Sequence, residues 1–165
     1  MPPASYAPYV HFCAFLPERK IAFVLDGLAV GETILTDSLV ILVVEDDPAI
    51  QIVIDEALRE GGYETSIVAS GEEAVTLLQR NGEQYRAVVT DINLKGAMDG
   101  WEIARHAREI NPAFPIIYMT GAAAEQWASQ GVPNSILLAK PFAPAQLVTA
   151  VSQLLNAGNQ PSAPA

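Results

Sequence analysis

The stretch I-L-V-V-E-D-D-P, residues 41–48, decides the fold. The apolar run at residues 40–44 has no polar member, which is typical of a central strand that helices cover on both faces. A helix is predicted to begin at once, with Asp47 as its N-cap and Pro48 at its first position. The segment therefore predicts a buried strand that leads directly into a helix and leaves Glu45 and Asp46 at the junction.

Short apolar runs and amphipathic stretches continue to alternate from Leu39 to about Asn156. Further strands are predicted over residues 63–69, 87–90, 115–119 and 136–138. Helices are predicted between residues 47 and 61, 70 and 82, 100 and 111, 122 and 130, and from 141 to about 156. This βαβα rhythm predicts an α/β fold in which a parallel sheet lies between helices.

The composition limits the classes of partner. Of the 165 residues, 50% are hydrophobic and 17% are charged, which suits one domain of ordinary size. The formal net charge is −10, so direct binding to nucleic acid or to anionic lipid is not expected. Near the start, polar residues interrupt the apolar stretches before they reach the roughly 20 residues of a membrane span. Together with the lone Cys13, this favours a cytoplasmic protein without a membrane segment.

The two ends of the chain do not share the alternating pattern. Residues 1–37 contain Pro, Gly and aromatic residues without sustained periodicity, and residues 158–165 are mostly small and polar. We expect an N-terminal extension over 1–37 that is poorly ordered, one folded domain over 38–157, and a disordered tail over 158–165.

Polar side chains follow four of the five predicted strands. Glu45 and Asp46 come after the first strand, Asp91 ends the third, Thr120 ends the fourth and Lys140 ends the fifth. In a doubly wound sheet, ligands bind beyond the carboxyl ends of the strands, so these groups are predicted at one edge. Each feature alone is ordinary, since acidic residues often occupy the first turn of a helix. Their joint occurrence at successive strand ends indicates a functional site.

Three carboxylates at one edge would repel each other unless a cation lay among them. Carboxylate oxygens, a backbone carbonyl and water suit Mg²⁺, which prefers few protein ligands and a phosphate oxygen. Lys140 adds a second cation that can bind a carboxylate or a phosphoryl oxygen, and the Thr120 hydroxyl can donate to another oxygen. The pattern therefore favours phosphate chemistry that depends on magnesium.

Five segments carry a resemblance to the receiver domains of two-component response regulators. They are I-L-V-V-E-D-D-P at 41–48, V-V-T-D-I-N-L at 88–94, M-D-G-W-E at 98–102, Y-M-T-G at 118–121 and K-P-F at 140–142. The resemblance covers nearly everything from residue 39 to residue 156. It implies a flavodoxin-like, doubly wound parallel sheet of five strands in the order 2-1-3-4-5, with helices on both faces.

The resemblance also implies roles for individual residues. Asp91 corresponds to the phosphoacceptor, which is also a metal ligand. Glu45 and Asp46 correspond to the acidic pair that holds Mg²⁺, and Asn93 to the residue that lends its backbone carbonyl. The Lys140–Pro141 bond is similar to one that is cis in the family.

By this resemblance, Thr120 and Lys140 correspond to the pair that binds the phosphoryl oxygens. The chain is expected to accept a phosphoryl group on Asp91 from a phosphohistidine of a sensor histidine kinase or phosphotransfer protein. It is expected to be a signalling domain, not an enzyme in the usual sense, although it would catalyse its own phosphotransfer and dephosphorylation. Without an output domain of its own, it would act by binding a downstream protein partner.

Three positions depart from the family pattern. Glu45 stands where many members have Asp, and the loop 94–99 is one residue longer than in the chemotaxis member of the family. Leu137 occupies the place of a Tyr or Phe that swings inward on activation in many members, and Leu cannot reproduce that rotation. Trp127, the one large apolar residue of a weak predicted helix, is a candidate for a switch or partner surface.

Two other functions stay open. A protein with a receiver shape could serve as a scaffold that is never phosphorylated. A magnesium-dependent phosphatase that forms an aspartyl phosphate would need an Asp two residues beyond its nucleophile on the first strand. Pro48 stands two residues after Asp46, which disfavours the phosphatase.

Overall fold

A computed structural model describes residues 11–12, 20–25, 28–34 and 38–157 of the chain. The chain divides into two compact units, Met1–Asp37 and Ser38–Ala165. The tail over residues 158–165, for which disorder is expected, lies outside the described residues. Among the described helices, none combines the length and apolar character that a membrane crossing requires.

The first unit contains strands that the sequence pattern does not predict. His11–Phe12, Lys20–Leu25 and Leu28–Ile34 form an antiparallel sheet in which Lys20–Leu25 lies in the middle. The two residues between the second and third of these strands are Asp26 and Gly27, a pair that favours a tight hairpin connection. The Asp26-Gly27 pair is thus a sequence feature that agrees with the strands on either side of it, although the irregular apolar pattern predicts no strand here.

The second unit is a parallel sheet with helices on both faces. Its strands are β1 (Val40–Val44), β2 (Glu64–Val68), β3 (Tyr85–Asp91), β4 (Ile116–Thr120) and β5 (Ile136–Ala139). Its helices are α1 (Pro48–Glu60), α2 (Gly71–Asn81), α3 (Gly100–Ile110), α4 (Trp127–Gln130) and α5 (Pro144–Ala157). The strand order is β2-β1-β3-β4-β5, which confirms the predicted topology.

Two apolar layers hold the helices against the sheet, because successive side chains of a strand point to opposite faces. Leu42 and Val44 of β1 belong to the layer that α2 and α3 cover, whereas Ile41 and Val43 belong to the layer that α1 and α5 cover. Residues 41–44 are all fully buried. The central strand is thus apolar on both faces, as its continuous run predicts.

The helix starts agree with the capping signals. The Asp47 side chain accepts a hydrogen bond from the Ala49 amide at the start of α1, and the Ser70 hydroxyl accepts one from Glu73 at the start of α2. A full capping box between Asp99 and Glu102, which is not among the predicted features, begins α3.

The segment after β4 differs from the prediction. One helix is predicted over residues 122–130, but the structure has a 3₁₀ turn at Ala124–Gln126 followed by α4, which has four residues. Every residue from 124 to 130 is exposed. Without an apolar stripe to bury, the segment gains little from packing, and tertiary packing supplies most of a helix's stability.

Gly100 lets α3 begin against the end of β3. Its amide donates to the Ile92 carbonyl, and a Cβ added at Gly100 would lie 2.3 Å from the Asp91 carbonyl oxygen. No real side chain tolerates that distance, so the start of α3 and the end of β3 would have to separate. A glycine is therefore required at this position for steric reasons.

We expect Gly100→Ala to lower the free energy of unfolding by about 2 kcal/mol, the usual cost of forcing an atom into a packed site. Urea unfolding followed by circular dichroism measures the change. Gly121→Ala is the matched control, since Gly121 is exposed and a Cβ there would meet no atom within 4 Å. Equal stability of the two variants would contradict the steric argument.

Candidate functional site

Three carboxylates meet at the carboxyl edge of the sheet. Glu45 and Asp46 directly follow β1, and Asp91 is the last residue of the neighbouring strand β3. Each of the three offers an oxygen, and these oxygens lie within 4.8 Å of one another. The structure thus brings together the acidic residues that the sequence places at successive strand ends.

Lys140 supplies the inner positive charge of this cluster. Its Nζ lies 2.6 Å from Glu45 Oε2 and 3.2 Å from Asp91 Oδ2. The Lys140 amide donates to the Thr120 carbonyl over 2.7 Å, which extends the pairing of β4 and β5 beyond the last residue of β5. The Lys140–Pro141 peptide bond is cis, as the resemblance implies. The end of β5 therefore aims an ammonium group between two carboxylates.

Glu45 is the most deeply buried acid of the cluster, with 1% of its surface exposed. Burial raises the pKa of Glu45, while the hydrogen bond and the charge of Lys140 act in the opposite direction. The Asp47 amide also donates to Glu45 Oε1 over 3.2 Å. A buried carboxylate is costly unless it is paired, so Glu45 depends on Lys140 for its charge.

Asp46 pairs with a second lysine, which is absent from the predicted site. Lys95 Nζ lies 3.0 Å from Asp46 Oδ2, and this contact lowers the pKa of Asp46. Lys95 belongs to the loop that is predicted to be one residue longer than usual. That extra length is the feature of the sequence that could have pointed to Lys95 as a site residue. The Glu72 carboxylate accepts the Ala97 amide over 2.9 Å and ties this loop to α2. Each of the three carboxylates thus contacts an ammonium group.

Thr120 is held as a hydrogen-bond donor. It is 1% exposed, and its Oγ1 accepts the amide of Ala122 over 3.1 Å and that of Ala123 over 2.7 Å. A hydroxyl has two lone pairs and one proton, so these two bonds occupy both acceptor positions. The proton of the Thr120 hydroxyl is left to be offered to an oxygen.

The remaining predicted residues lie around this cluster. The Asn93 amide donates to Asp91 Oδ1 over 3.4 Å, and the Asn93 side chain is exposed. Leu137 is half-buried on β5 and packs against the layer under α2 and α3. Trp127 is 38% exposed, and its Nε1 donates to Ser135 Oγ over 3.1 Å. Leu137 and Trp127 therefore stand outside the acidic cluster, on the side of α4 and β5.

The donor set fits a hard divalent cation. All three side chains offer carboxylate oxygens, the ligands that Mg²⁺ prefers. Three carboxylates against two ammonium groups leave one net negative charge, and one of the lysines, Lys95, is 86% exposed and can move away from Asp46. The residues present therefore suit a magnesium ion beside Asp46 and Asp91.

A doubly wound sheet that carries an acidic cluster, a threonine and a lysine at one edge defines a signalling domain of the receiver class. The family model described as the response regulator receiver domain matches residues 41–152. The chain belongs to this family, which makes it part of two-component signalling.

Two curated relatives show the range of proteins in which such a domain occurs. The response regulator receiver protein CpdR of Brucella abortus (strain 2308) is 34% identical over 117 residues, which are 70% of this chain and 95% of CpdR. The sensor kinase CckA of the same organism is 32% identical over 126 residues, which are 74% of this chain. The match spans 13% of the length of CckA.

Solved structures agree with the fold. A response regulator receiver protein from Sinorhizobium medicae WSM419 is 46% identical, with a TM-score of 0.71 over 73% of this chain and 96% of that chain. The receiver domain of the sensor histidine kinase PA1611 from Pseudomonas aeruginosa PAO1 is 32% identical, with a TM-score of 0.62. The match covers 72% of this chain and 98% of that chain. That structure has a magnesium ion coordinated in its active site cleft.

The two lysines should differ in their effect on stability. We expect Lys140→Met to lower the free energy of unfolding by about 3 kcal/mol, because buried Glu45 loses its partner. Lys95→Met, the matched control, should leave it nearly unchanged, because an exposed ion pair contributes little. Urea unfolding in the presence of a chelator compares the two variants.

Adding Glu45→Gln to Lys140→Met should restore part of the lost stability, because the unpaired charge is then gone. Equal losses of unfolding free energy for Lys140→Met and Lys95→Met, or no recovery of it on adding Glu45→Gln, would show that the pair of Lys140 with Glu45 does not stabilise the fold.

Proposed function

We propose that this receiver domain accepts a phosphoryl group on Asp91 from a phosphohistidine of a sensor histidine kinase or a histidine phosphotransfer protein. The observation that carries the proposal is the position of the Asp91 carboxylate, which lies among Glu45, Asp46 and Lys140 at the open edge of the sheet. The kinases CckA and PA1611 among the similar proteins support a partner of this class.

In the proposed reaction, an oxygen of Asp91 attacks the phosphorus of the phosphohistidine. The P–O bond to Asp91 forms as the P–N bond breaks, and the imidazole of the donor leaves with the electron pair and takes up a proton. Lys140 already contacts Asp91 Oδ2 and can follow the negative charge onto the transferred group. The Thr120 proton can be donated to another phosphoryl oxygen. Residues of this chain thus supply positioning and charge, the main requirements of phosphoryl transfer.

Magnesium is the proposed cofactor. Glu45, Asp46, Asp91 and the backbone carbonyl of Asn93 would hold it, and when bound it supplies charge neutralisation for the phosphoryl oxygens. The exposed Lys95 can release Asp46 for this purpose, whereas Lys140, bonded to buried Glu45, remains near Asp91 and can contact the transferred phosphoryl group.

Hydrolysis of the aspartyl phosphate would reset the domain. Gly121 follows Thr120 and is exposed, and a Cβ built there would meet no atom within 4 Å. We therefore expect the site beside Thr120 to be open to water and phosphate. The loss of the phosphoryl group would need no second protein, so the domain would catalyse its own dephosphorylation.

The output is proposed to be a phosphorylation-dependent contact with a downstream protein in the cytoplasm. Leu137 and Trp127 lie on the proposed switch and partner surface, on β5 and α4. The net charge of −10 gives the chain no electrostatic attraction to nucleic acid. Equal partner affinity with and without a phosphoryl mimic would favour the scaffold instead.

Acetyl phosphate with Mg²⁺ should add one phosphoryl group to the wild-type protein, detected by mass spectrometry as an acid-labile increase. Asp91→Asn should show no such increase, because the attacking carboxylate is gone. Asp47→Asn is the matched control: Asp47 is a nearby exposed acid, and asparagine still caps α1. Unaltered labelling of Asp91→Asn would exclude Asp91 as the acceptor.

Magnesium should stabilise the wild-type fold, because an ion that binds the folded state but not the unfolded chain raises the melting temperature. We expect a rise of a few degrees that grows with the Mg²⁺ concentration and disappears on chelation, as measured by thermal unfolding. Asp46→Asn should lose most of this response and Asp47→Asn should keep it. A response that is the same in both variants would place the ion elsewhere.

A further inference from the structure

Leu137 stands at the position where many receiver domains have an aromatic residue. Leu137 cannot make the aromatic movement that transmits phosphorylation in many members, so it does not supply that link between Thr120 and the surface around α4. In the pairing of β4 with β5, the residue opposite Leu137 is Tyr118. An aromatic side chain thus lies one strand away from the usual position.

Tyr118 is fully buried and makes two directional contacts. Its ring packs against Trp101, with ring centroids 4.6 Å apart and planes inclined by 53°. Its hydroxyl oxygen accepts a hydrogen bond from the Val132 amide over 3.2 Å. Tyr118 therefore joins the centre of β4 to the loop that precedes β5.

Tyr118 also lies close to the residue that would sense the phosphoryl group. Tyr118 and Thr120 are two positions apart on β4, so their side chains point to the same face of the sheet. Ala123, whose amide donates to Thr120 Oγ1, is buried in the same apolar layer as Tyr118. A shift of the Thr120 hydroxyl would thus disturb the packing around Tyr118.

Val132 connects this layer with Trp127. The Val132 amide donates to Tyr118, while its carbonyl accepts a hydrogen bond from Ser135 Oγ over 2.6 Å. The same Ser135 oxygen accepts the Trp127 indole N–H. One residue of the loop is therefore held by Tyr118 on one side and, through Ser135, by the exposed tryptophan on the other.

We propose that Tyr118 is the positioning residue that couples Thr120 to the loop at residues 131–135 and to Trp127, in place of an aromatic residue at position 137. This inference rests on the proposed phosphorylation of Asp91. When Thr120 turns its hydroxyl to a phosphoryl oxygen, its bonds from the amides of Ala122 and Ala123 change, the layer around Tyr118 repacks, and the bond from Val132 is remade or lost. The two arrangements of this bond are the two states that phosphorylation biases.

Hydrogen exchange of the Val132 amide, followed by NMR on the full chain, tests the coupling with and without beryllofluoride and Mg²⁺. In the wild-type protein, beryllofluoride should change the exchange rate of the Val132 amide about fivefold or more. This factor corresponds to the net free energy of one hydrogen bond. In Tyr118→Phe, which keeps the ring, the amide should already exchange faster without beryllofluoride, and addition should make no further difference. A purely structural role of Tyr118 would speed exchange but leave the response to beryllofluoride intact.

Tyr85→Phe is the matched control, since Tyr85 is a second buried tyrosine whose hydroxyl contacts Ser66 on β2. It and Leu137→Val should retain the wild-type response at Val132. An unaltered response in Tyr118→Phe, or a response lost in Leu137→Val alone, would overturn the coupling.

Labelling of Asp91 by acetyl phosphate, measured on every variant, separates the two proposals. If the wild-type protein is not labelled, the proposed function fails and the coupling fails with it. If the wild-type protein is labelled but Val132 does not respond, the coupling alone is wrong.

Discussion

The site depends on the electrostatic balance among three carboxylates whose oxygens lie within 4.8 Å of one another. Such a group is unstable without nearby cations, since like charges at this separation repel strongly where water is scarce. Lys140 and Lys95 provide them, one reaching from the end of β5 and the other from the loop after β3. The strand order, the loop geometry and the burial of Glu45 all serve to keep these five charges together.

The sheet places the charges and the close packing of α3 keeps them in place. Because β1 and β3 are neighbours, acids that stand 45 residues apart in the sequence reach the same edge. Gly100 allows α3 to begin directly against the Asp91 carbonyl, and the capping box of Asp99 and Glu102 fixes that start. A fold that left more room here would give Asp91 more freedom and lose the alignment that the proposed phosphoryl transfer requires.

The sequence predicts most of the fold because its strongest signals are local. The run at residues 40–44, the N-caps Asp47 and Ser70, and the polar residues at strand ends each follow from short-range chemistry. Other features arise only from tertiary contacts. The shortness of α4 reflects how little its exposed residues gain from packing, and the contact of Lys95 with Asp46 depends on how Glu72 holds the loop. The strands at residues 20–25 and 28–34 flank Asp26 and Gly27, a turn signal that is easily missed within an irregular apolar pattern.

The unequal exposure of the two lysines makes the two ion pairs respond differently to dissolved salt. Dissolved ions screen charges in contact with water over roughly 8 Å at physiological ionic strength, but they act far less on charges inside the fold. The exposed pair of Lys95 with Asp46 will therefore weaken as salt concentration rises, while the buried pair of Lys140 with Glu45 will weaken much less. Ionic strength thus acts mainly on one half of the site.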